Sequence, residues 1–168
     1  YNPEKAKKLL AEAGYPNGFE IPFLAYRNRD YAEAMINNLN AVGIKAKLEY
    51  LKYAAFRDKV QSGGSPFNFG TWGSYSINDV SAITSHFQSG GKDDYSKDPE
   101  VIKQLGIGDT SVDANVRKAA YKAALSRITG EVFMFPLWSY NTWYAFSKDV
   151  DFNPTPDEIP RFFTAKWM

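Results

Sequence analysis

The chain has 168 residues, which corresponds to one domain, because single domains usually contain about 100–200 residues. Hydrophobic residues make up 44% of the sequence and aromatic residues 16%, a composition that excludes an intrinsically disordered chain. The net charge of +1 gives no general electrostatic surface for DNA or RNA, so no nucleic-acid partner is expected. The lack of cysteine removes disulfides, thiolate metal sites and cysteine nucleophiles.

The first half of the sequence predicts helices and strands in alternation. A helix begins at Pro3, is capped by Asn2 and ends at Gly14. The next elements are predicted in the order strand 20–26, helix 30–42, strand 44–50, helix 53–61 and strand 66–72. Apolar stripes place Ala6, Leu9, Leu10 and Ala13 of the first helix, and Tyr31, Met35, Leu39 and Val42 of the second, towards the core. Because strands separated by helices pair in parallel, this part predicts an α/β layer.

The second half predicts helices followed by strands. Asn78 or Asp79 caps a short helix, and longer helices open at Asp98 and Asp113. The segment 106–108, with its two glycines, is interpreted as a helix stop. Aromatic-rich strands are predicted over 131–138 and 141–146, before a tail with three prolines and little periodicity.

Few residues offer catalytic or metal chemistry. His86 is the single histidine, and the sequence has neither a Gly-x-Ser-x-Gly elbow nor a phosphate-binding glycine loop. The carboxylates Asp93, Asp94 and Asp98 miss the spacing of a calcium loop, so residues 92–97 are predicted to form a solvated surface loop. We therefore expect no catalytic residue, no cofactor and no metal site.

Aromatic and polar side chains follow the predicted strands. Ligands of open α/β sheets bind beyond the carboxyl ends of the strands. These positions hold Arg27 after the first strand, Trp72, Ser74 and Tyr75 after the third, and Trp138 and Tyr140 after the late strand. Arg27 offers a planar donor fork for a carboxylate, and the rings offer flat apolar surface with a hydrogen-bonding edge. The pattern predicts binding of a small molecule, although Trp72 and Trp138 are equally compatible with a core position.

The motifs also resemble a known family. The opening Tyr-Asn-Pro-Glu-Lys-Ala-Lys-Lys-Leu-Leu-Ala-Glu-Ala-Gly-Tyr-Pro-Asn-Gly-Phe of residues 1–19 resembles a stretch of the family 5 extracellular solute-binding proteins. These are the dipeptide-, oligopeptide- and nickel-binding components of ABC importers. The resemblance continues through Trp72, Phe87-Gln88-Ser89-Gly90, Asp98-Pro99-Glu100-Val101, the helix 117–128 and Phe135-Pro136-Leu137, so it covers nearly the whole chain.

The resemblance implies one lobe of a type II periplasmic-binding-protein fold, an α/β fold with a mixed sheet and helices on both faces. Members are about three times longer and secreted, so the chain, which opens on Tyr1, is expected to be a C-terminal piece located in the periplasm or outside the cell. Residues 1–147 would form the solute-binding lobe, and residues 148–168 a tail that packs towards a missing first lobe. The implied partners are a peptide or other small solute and an ABC permease.

One departure concerns the ligand. Peptide-binding members commonly carry Trp-x-x-Asp-x-x-Asp-Pro, whose first Asp pairs with the ammonium group of the ligand. Here Tyr75 stands three positions after Trp72, and Asp79 is displaced by one position from the second Asp. Asp79 is therefore either a replacement anchor or a helix cap, with capping favoured. The sequence is therefore as compatible with a neutral or anionic solute as with a peptide ligand.

Two other functions remain as alternatives. A small α/β hydrolase would use His86 or a pair of carboxylates, but it needs a positioned nucleophile that the sequence does not reveal. An interaction module would self-associate through the tail and residues 135–146, because an isolated lobe exposes apolar surface that its partner lobe covers. Binding without catalysis is the prediction that the motifs favour.

Overall fold

A computed structural model of the chain describes residues 1–73, 77–155 and 159–168. The chain divides into two compact units, residues 1–71 and residues 72–168. The first unit carries a parallel sheet, and the second consists mainly of helices and irregular segments. Within the described residues, no helix is both long and apolar enough to cross a membrane.

The first unit alternates helices and strands as predicted. Its elements are α1 (Pro3–Glu12), β1 (Phe19–Ala25), α2 (Arg29–Ala41), β2 (Ile44–Tyr50), α3 (Tyr53–Gln61) and β3 (Asn68–Phe69). The three strands are parallel, in the order β2-β1-β3. The predicted α/β layer is therefore confirmed, with β1 at its centre.

Strand β1 has a buried side chain on each face of the sheet. Phe23 and Ala25 point to one face and pack against α2, whereas Leu24 points to the other and packs against Phe56 and Val60 of α3. Successive side chains of a strand alternate between faces, so a continuous apolar run suits a strand covered on both sides. Helices on both faces of the sheet are confirmed for this unit.

The amino ends of β1 and β2 meet at two glycines. Gly18 precedes β1 with φ +71°, and Gly43 precedes β2 with φ +99°. A Cβ atom on Gly18 would lie 1.8 Å from the carbonyl oxygen of Gly43. Both the positive φ and the close approach of the two backbones require glycine here.

Three details of the first unit differ from the sequence prediction. The buried face of α2 is centred on Ala32 and Ile36, and Tyr31, expected inside, is exposed. No residue of α1 is buried, and Leu9 of its apolar stripe is 52% exposed. The strand predicted over 66–72 pairs only through Asn68 and Phe69, because β1, its partner, ends at Ala25 opposite Phe69.

The second unit is built on a helical hairpin. Its elements are α4 (Ser81–Phe87), α5 (Pro99–Thr110), α6 (Ala114–Gly130), β4 (Val150–Asp151), a 3-10 helix (Phe162–Thr164) and β5 (Lys166–Trp167). The core between α5 and α6 consists of Val101, Leu105, Tyr121, Ala124 and Ile128. Strands β4 and β5 form a short antiparallel pair, so the chain contains both parallel and antiparallel pairing.

The glycines of segment 106–108 do not end a helix, contrary to the prediction. They lie inside α5, which continues to Thr110. A Cβ atom on Gly108 would lie 2.6 Å from the ring of Tyr121 in α6. Gly108 therefore serves close packing of the two helices, a tertiary contact that the local sequence does not reveal.

The loop 92–97 is not a fully solvated loop, which corrects the prediction. The Asp94 side chain is buried and accepts hydrogen bonds from the Gly90 amide (2.9 Å), the Ser96 hydroxyl (2.7 Å) and the Lys97 amide (2.9 Å). A buried carboxylate is stabilised by several donors of this kind. Asp94 thus organises the loop from within.

The two aromatic-rich strands predicted over 131–138 and 141–146 are absent. Residues 134–147 adopt neither helix nor strand, and most of their aromatic side chains are exposed, with Phe135 73% and Trp143 88% exposed. A strand is stable only beside another strand or under a covering layer. Within the described residues, no strand pairs with this segment.

Candidate ligand-binding surfaces

The carboxyl ends of β1 and β3 bring three polar side chains together in the first unit. The Tyr26 hydroxyl lies 3.2 Å from the Thr71 hydroxyl, and the Arg27 guanidinium donates to the same Thr71 oxygen at 3.0 Å. Parallel pairing makes both strands end at one edge, where Ala25 stands opposite Phe69. We call Tyr26, Arg27 and Thr71 the edge cluster.

The edge cluster presents positive charge and hydroxyl groups. The Tyr26 ring packs against Tyr53 and Phe56, which fixes its hydroxyl at the edge, and Arg27 is exposed. No carboxylate of the described residues pairs with Arg27, whereas nearby Arg29 is held by Glu33 at 2.7 Å. A guanidinium that pairs with no carboxylate of the described residues can donate hydrogen bonds to an anionic group of a ligand.

A cavity of about 370 Å³ opens at the opposite edge of the sheet. It lies beside Gly18 and Gly43 at the amino ends of β1 and β2, and Lys7 supplies its charged side chain. None of the predicted site residues lines it. The geometry therefore separates this cavity from the edge cluster.

Trp72, in the second unit, is held by α4. Its indole N–H donates to the Ala82 carbonyl at 3.0 Å, and its ring stacks on His86 at 4.2 Å and meets the edge of Phe87 at 5.2 Å. The side chain is nevertheless 40% exposed. Trp72 thus combines a fixed orientation with an open surface, a combination that suits a ligand wall.

His86 holds its position through ring packing and a polar contact with Asp93. Its Nε2 atom lies 3.3 Å from an Asp93 carboxylate oxygen, and its ring is covered by Trp72. These contacts give the imidazole a structural role beside Trp72. Within the described residues, no cluster of three or more histidine, aspartate or glutamate side chains could hold a metal ion.

Asp79 lies two residues before the first residue of α4, and its carboxylate is bound by other residues of this chain. Its carboxylate accepts from the Ser81 amide at 2.9 Å, pairs with Arg117 and receives the Tyr121 hydroxyl at 3.4 Å. The hydrogen bonds from Ser81, together with Arg117, hold the pKa of the Asp79 carboxyl below its usual value. Asp79 thus binds the first amide of α4, but the residue that caps the helix is Val80, so the capping role predicted for Asp79 is wrong by one position.

The other predicted ligand contacts lie in the irregular segment after α6 or outside the described residues. Trp138 and Tyr140 meet edge to face at 6.3 Å, and both are about half exposed in the irregular segment after α6. Ser74 and Tyr75 lie outside the described residues. The structure thus groups Trp72 with Asp79 at α4 and Trp138 with Tyr140, all in the second unit, while Arg27 belongs to the first.

Sequence reasoning missed two residues of these surfaces. Thr71 lies at the end of the predicted third strand, beside the end of the first, so the strand-end rule that selected Arg27 could also have found it. Arg117 gives no comparable signal, because its contact with Asp79 spans 38 positions. Only the folded chain brings that pair together.

The first part of the chain matches a known protein family. The family described as "Bacterial extracellular solute-binding proteins, family 5 Middle" matches residues 1–94, more than half of the chain. The chain belongs to this family. The resemblance noted from the sequence motifs is therefore confirmed, and with it the placement among bacterial proteins that act outside the cytoplasm.

Individual family 5 solute-binding proteins agree with this placement. The chain is 38% identical over 71 residues to heme-binding protein A of Haemophilus influenzae, a match of 38% of this chain and 13% of the relative. The solved structure of AgaA from Agrobacterium tumefaciens R10 with agropinic acid is similar with TM-score 0.64 at 33% identity, over 74% of this chain and 27% of that one.

The fold agrees over the full length of the chain. A dipeptide-binding protein from Pseudoalteromonas sp. SM9913, solved with Met-Leu, is similar with TM-score 0.77 over 100% of this chain at 24% identity. This likeness confirms the periplasmic-binding-protein fold class. The match covers 36% of that protein, so the chain spans about a third of its length or less in each of these comparisons.

Proposed function

We propose that this chain forms one lobe of the substrate-binding component of an ABC importer, which captures a peptide or other small polar solute in a cleft between two lobes. The edge cluster carries the proposal, because it combines two hydroxyl groups with a guanidinium that pairs with no carboxylate of the described residues, at the edge where α/β sheets bind ligands. Family membership supports the same function. The mechanism is hinged closure of two lobes that buries the solute.

The edge cluster favours a ligand with a carboxylate or another anionic group. Arg27 offers two parallel N–H donors, and Thr71 and Tyr26 add hydroxyl groups within about one hydrogen-bond length of each other. Heme and agropinic acid, bound by two of the relatives, are both carboxylic acids. Trp72, Ser74, Tyr75, Trp138 and Tyr140 are the further proposed ligand contacts.

Asp79 is a weaker candidate for ligand contact than these residues. Its carboxylate is filled by Ser81, Arg117 and Tyr121, so an ammonium group would have to compete with a guanidinium already in place. The proposed ligand therefore does not depend on a free amino terminus.

The proposed function is binding without catalysis. His86 is engaged by Asp93 and Trp72, and the known relatives are binding proteins. These contacts of His86 with Asp93 and Trp72 argue against the alternative, a hydrolase that uses His86. If some turnover were found in the chain and vanished in His86→Ala, the binding proposal would be replaced by the hydrolase.

The exposed aromatic residues of 133–146 and of the tail form the proposed face towards a preceding lobe. They include Phe135, Trp143, Phe163 and Trp167, each more than 70% exposed. Exposed apolar surface of this extent marks an interaction site. Without that lobe we expect the 168-residue chain to self-associate, and a strictly monomeric sedimentation profile at high concentration would contradict this part of the proposal.

Calorimetry tests the two-lobe mechanism directly. Agropinic acid, heme and Met-Leu would be titrated into the 168-residue chain and into a version extended by the sequence encoded upstream of Tyr1. The expected result is measurable binding of one of these solutes by the extended protein and much weaker binding by the chain alone, because half of the contacts are then missing. Equal submicromolar affinity in both proteins would overturn the mechanism.

A further inference from the structure

A cluster of charged and polar side chains ties the start of α4 to the hairpin of α5 and α6. Arg117 and Tyr121, one turn apart on α6, both reach the carboxylate of Asp79. The Arg117 side chain is about a quarter exposed and that of Asp79 about a third, so solvent screens this pair only in part. These three side chains link the residues that lead into α4 to helix α6.

The α6 members of this cluster are themselves fixed by α5. Arg117 donates from Nη1 to the Gly108 carbonyl at 2.7 Å, and its guanidinium lies 5.1 Å from the Tyr121 ring centre. The Tyr121 hydroxyl donates to Asp109 at 2.7 Å, and burial together with Asp109 raises the pKa of Tyr121 to about 12. Arg117 therefore has a defined position before it meets Asp79.

The contacts continue from Asp79 to Trp72. Asp79 accepts the Ser81 amide at the first residue of α4, and α4 in turn supplies the Ala82 carbonyl and the His86 ring that orient the Trp72 indole. Helix α4 has only seven residues, so it depends on tertiary contacts for its position. Asp79 provides such a contact at the end of the helix nearest Ala82.

We propose that Arg117 is a positioning residue for Trp72: through Asp79 it fixes the start of α4, and α4 fixes the orientation of the indole ring. The consequence for ligand binding rests on the proposed function, in which Trp72 is a wall of the binding site. Arg117 touches no ligand in this scheme. Its role is to give an exposed ring a single orientation before ligand arrives, which lowers the entropic cost of binding.

The matched control lies on the same helix. Arg127 of α6 forms a bidentate pair with Asp98 at 2.8 and 2.6 Å. Asp98 caps α5, and its carboxylate accepts backbone amides of that helix, as the Asp79 carboxylate accepts the Ser81 amide of α4. Loss of Arg127 removes an ion pair of the same type from the same helix without touching the contacts of α4. A general loosening of α6 would therefore affect both arginine variants alike.

The test is the indole ¹H–¹⁵N signal of Trp72 in the 168-residue chain, assigned by its loss in Trp72→Phe. In Arg117→Gln we expect this signal to shift and its hydrogen exchange to become roughly tenfold faster, as local opening becomes easier. Arg117→Lys should restore most of the wild-type signal, and Arg127→Gln should leave it unchanged. Asp79→Asn keeps a side-chain oxygen that can accept the Ser81 amide but loses the negative charge that pairs with Arg117. This variant should therefore give the same Trp72 signal as Arg117→Gln.

Two results would overturn the proposal. One is a Trp72 signal that is the same in Arg117→Gln as in the wild type, and the other is an equal change in Arg127→Gln. If Arg117→Gln fails to fold, Asp79→Asn decides the question by the same signal. No ligand is needed, so failure here leaves the proposed solute-binding function standing, whereas failure of calorimetry leaves this positioning role standing.

Discussion

Strand β1 and the segment 131–146 have similar residue compositions and different structures. Both are rich in aromatic and aliphatic residues, and both are predicted as strands. In β1, Phe23, Leu24 and Ala25 are buried between two helices and two neighbouring strands. In the part of the chain that the structure describes, no strand pairs with 131–146, and most of its aromatic rings are exposed, Phe135 and Trp143 most of all. Neighbouring strands and helices therefore determine whether an apolar run becomes a strand.

The largest effect should come from a phenylalanine at the centre of β1. Phe23→Ala should lower the free energy of unfolding by about 3–5 kcal/mol, since a fully buried ring leaves a cavity. Phe163→Ala, at an 86% exposed ring in the tail, should change it by less than about 0.5 kcal/mol. Urea unfolding followed by circular dichroism measures both, and similar losses would break the comparison.

The next effect concerns the start of β1. Gly18→Ala should cost about 3 kcal/mol, because the new methyl group would collide with the Gly43 carbonyl and φ is positive. Gly14→Ala has a positive φ but open space, so about 1 kcal/mol is expected. The difference between the variants isolates the backbone contact between β1 and β2. Equal costs would show that the two strands can separate freely there.

The second unit has a packed core of its own beside the exposed segment. Gly108→Ala should destabilise the α5–α6 hairpin by about 1–3 kcal/mol, because a Cβ atom would meet the Tyr121 ring. Gly106→Ala, in the same helix with open space around it, should instead stabilise by about 0.5–1 kcal/mol. Thermal unfolding of the pair gives the answer. The same sign of change in both would contradict the packing described.

Acid should weaken the second unit through Asp98. Hydrogen bonds from Arg127 and the Val101 amide lower the pKa of Asp98 to about 2 from an ordinary value near 3.8. The carboxylate binds fewer protons in the folded state, so its stabilisation is present above about pH 4 and is lost as the pH falls towards 2. Asp98→Asn should remove this part of the acid dependence. An unchanged acid profile in unfolding experiments at pH 2–5 would contradict it.

Local patterns predicted most of the first unit. The bounds of α2, β2 and α3 follow from helix and strand periodicity and from glycines at the stops, and each is found within one residue of its prediction. The position of Arg27 follows from the strand-end rule. Periodicity, terminal glycines and the residues that follow a strand all lie within a few positions of the element that they define. They can therefore be read from the local sequence.

Distant contacts could not be predicted in the same way. The pair Asp79–Arg117, the packing of Gly108 under Tyr121 and the buried carboxylate of Asp94 each depend on segments brought together by folding. The strands predicted over 131–146 failed for the same physical reason, because strand formation depends on a partner that the local pattern does not contain. Burial and pairing are properties of the whole fold.

The most direct test of the account is the role of Arg27 at the edge cluster. Calorimetry of the extended protein with agropinic acid, heme and Met-Leu would compare the wild type with Arg27→Gln and with Arg29→Gln, the control whose side chain is held by Glu33. The account predicts a loss of affinity of about tenfold to a hundredfold in Arg27→Gln alone, the effect of removing a charge-assisted hydrogen bond. Unchanged affinity in Arg27→Gln, or an equal loss in Arg29→Gln, would contradict it.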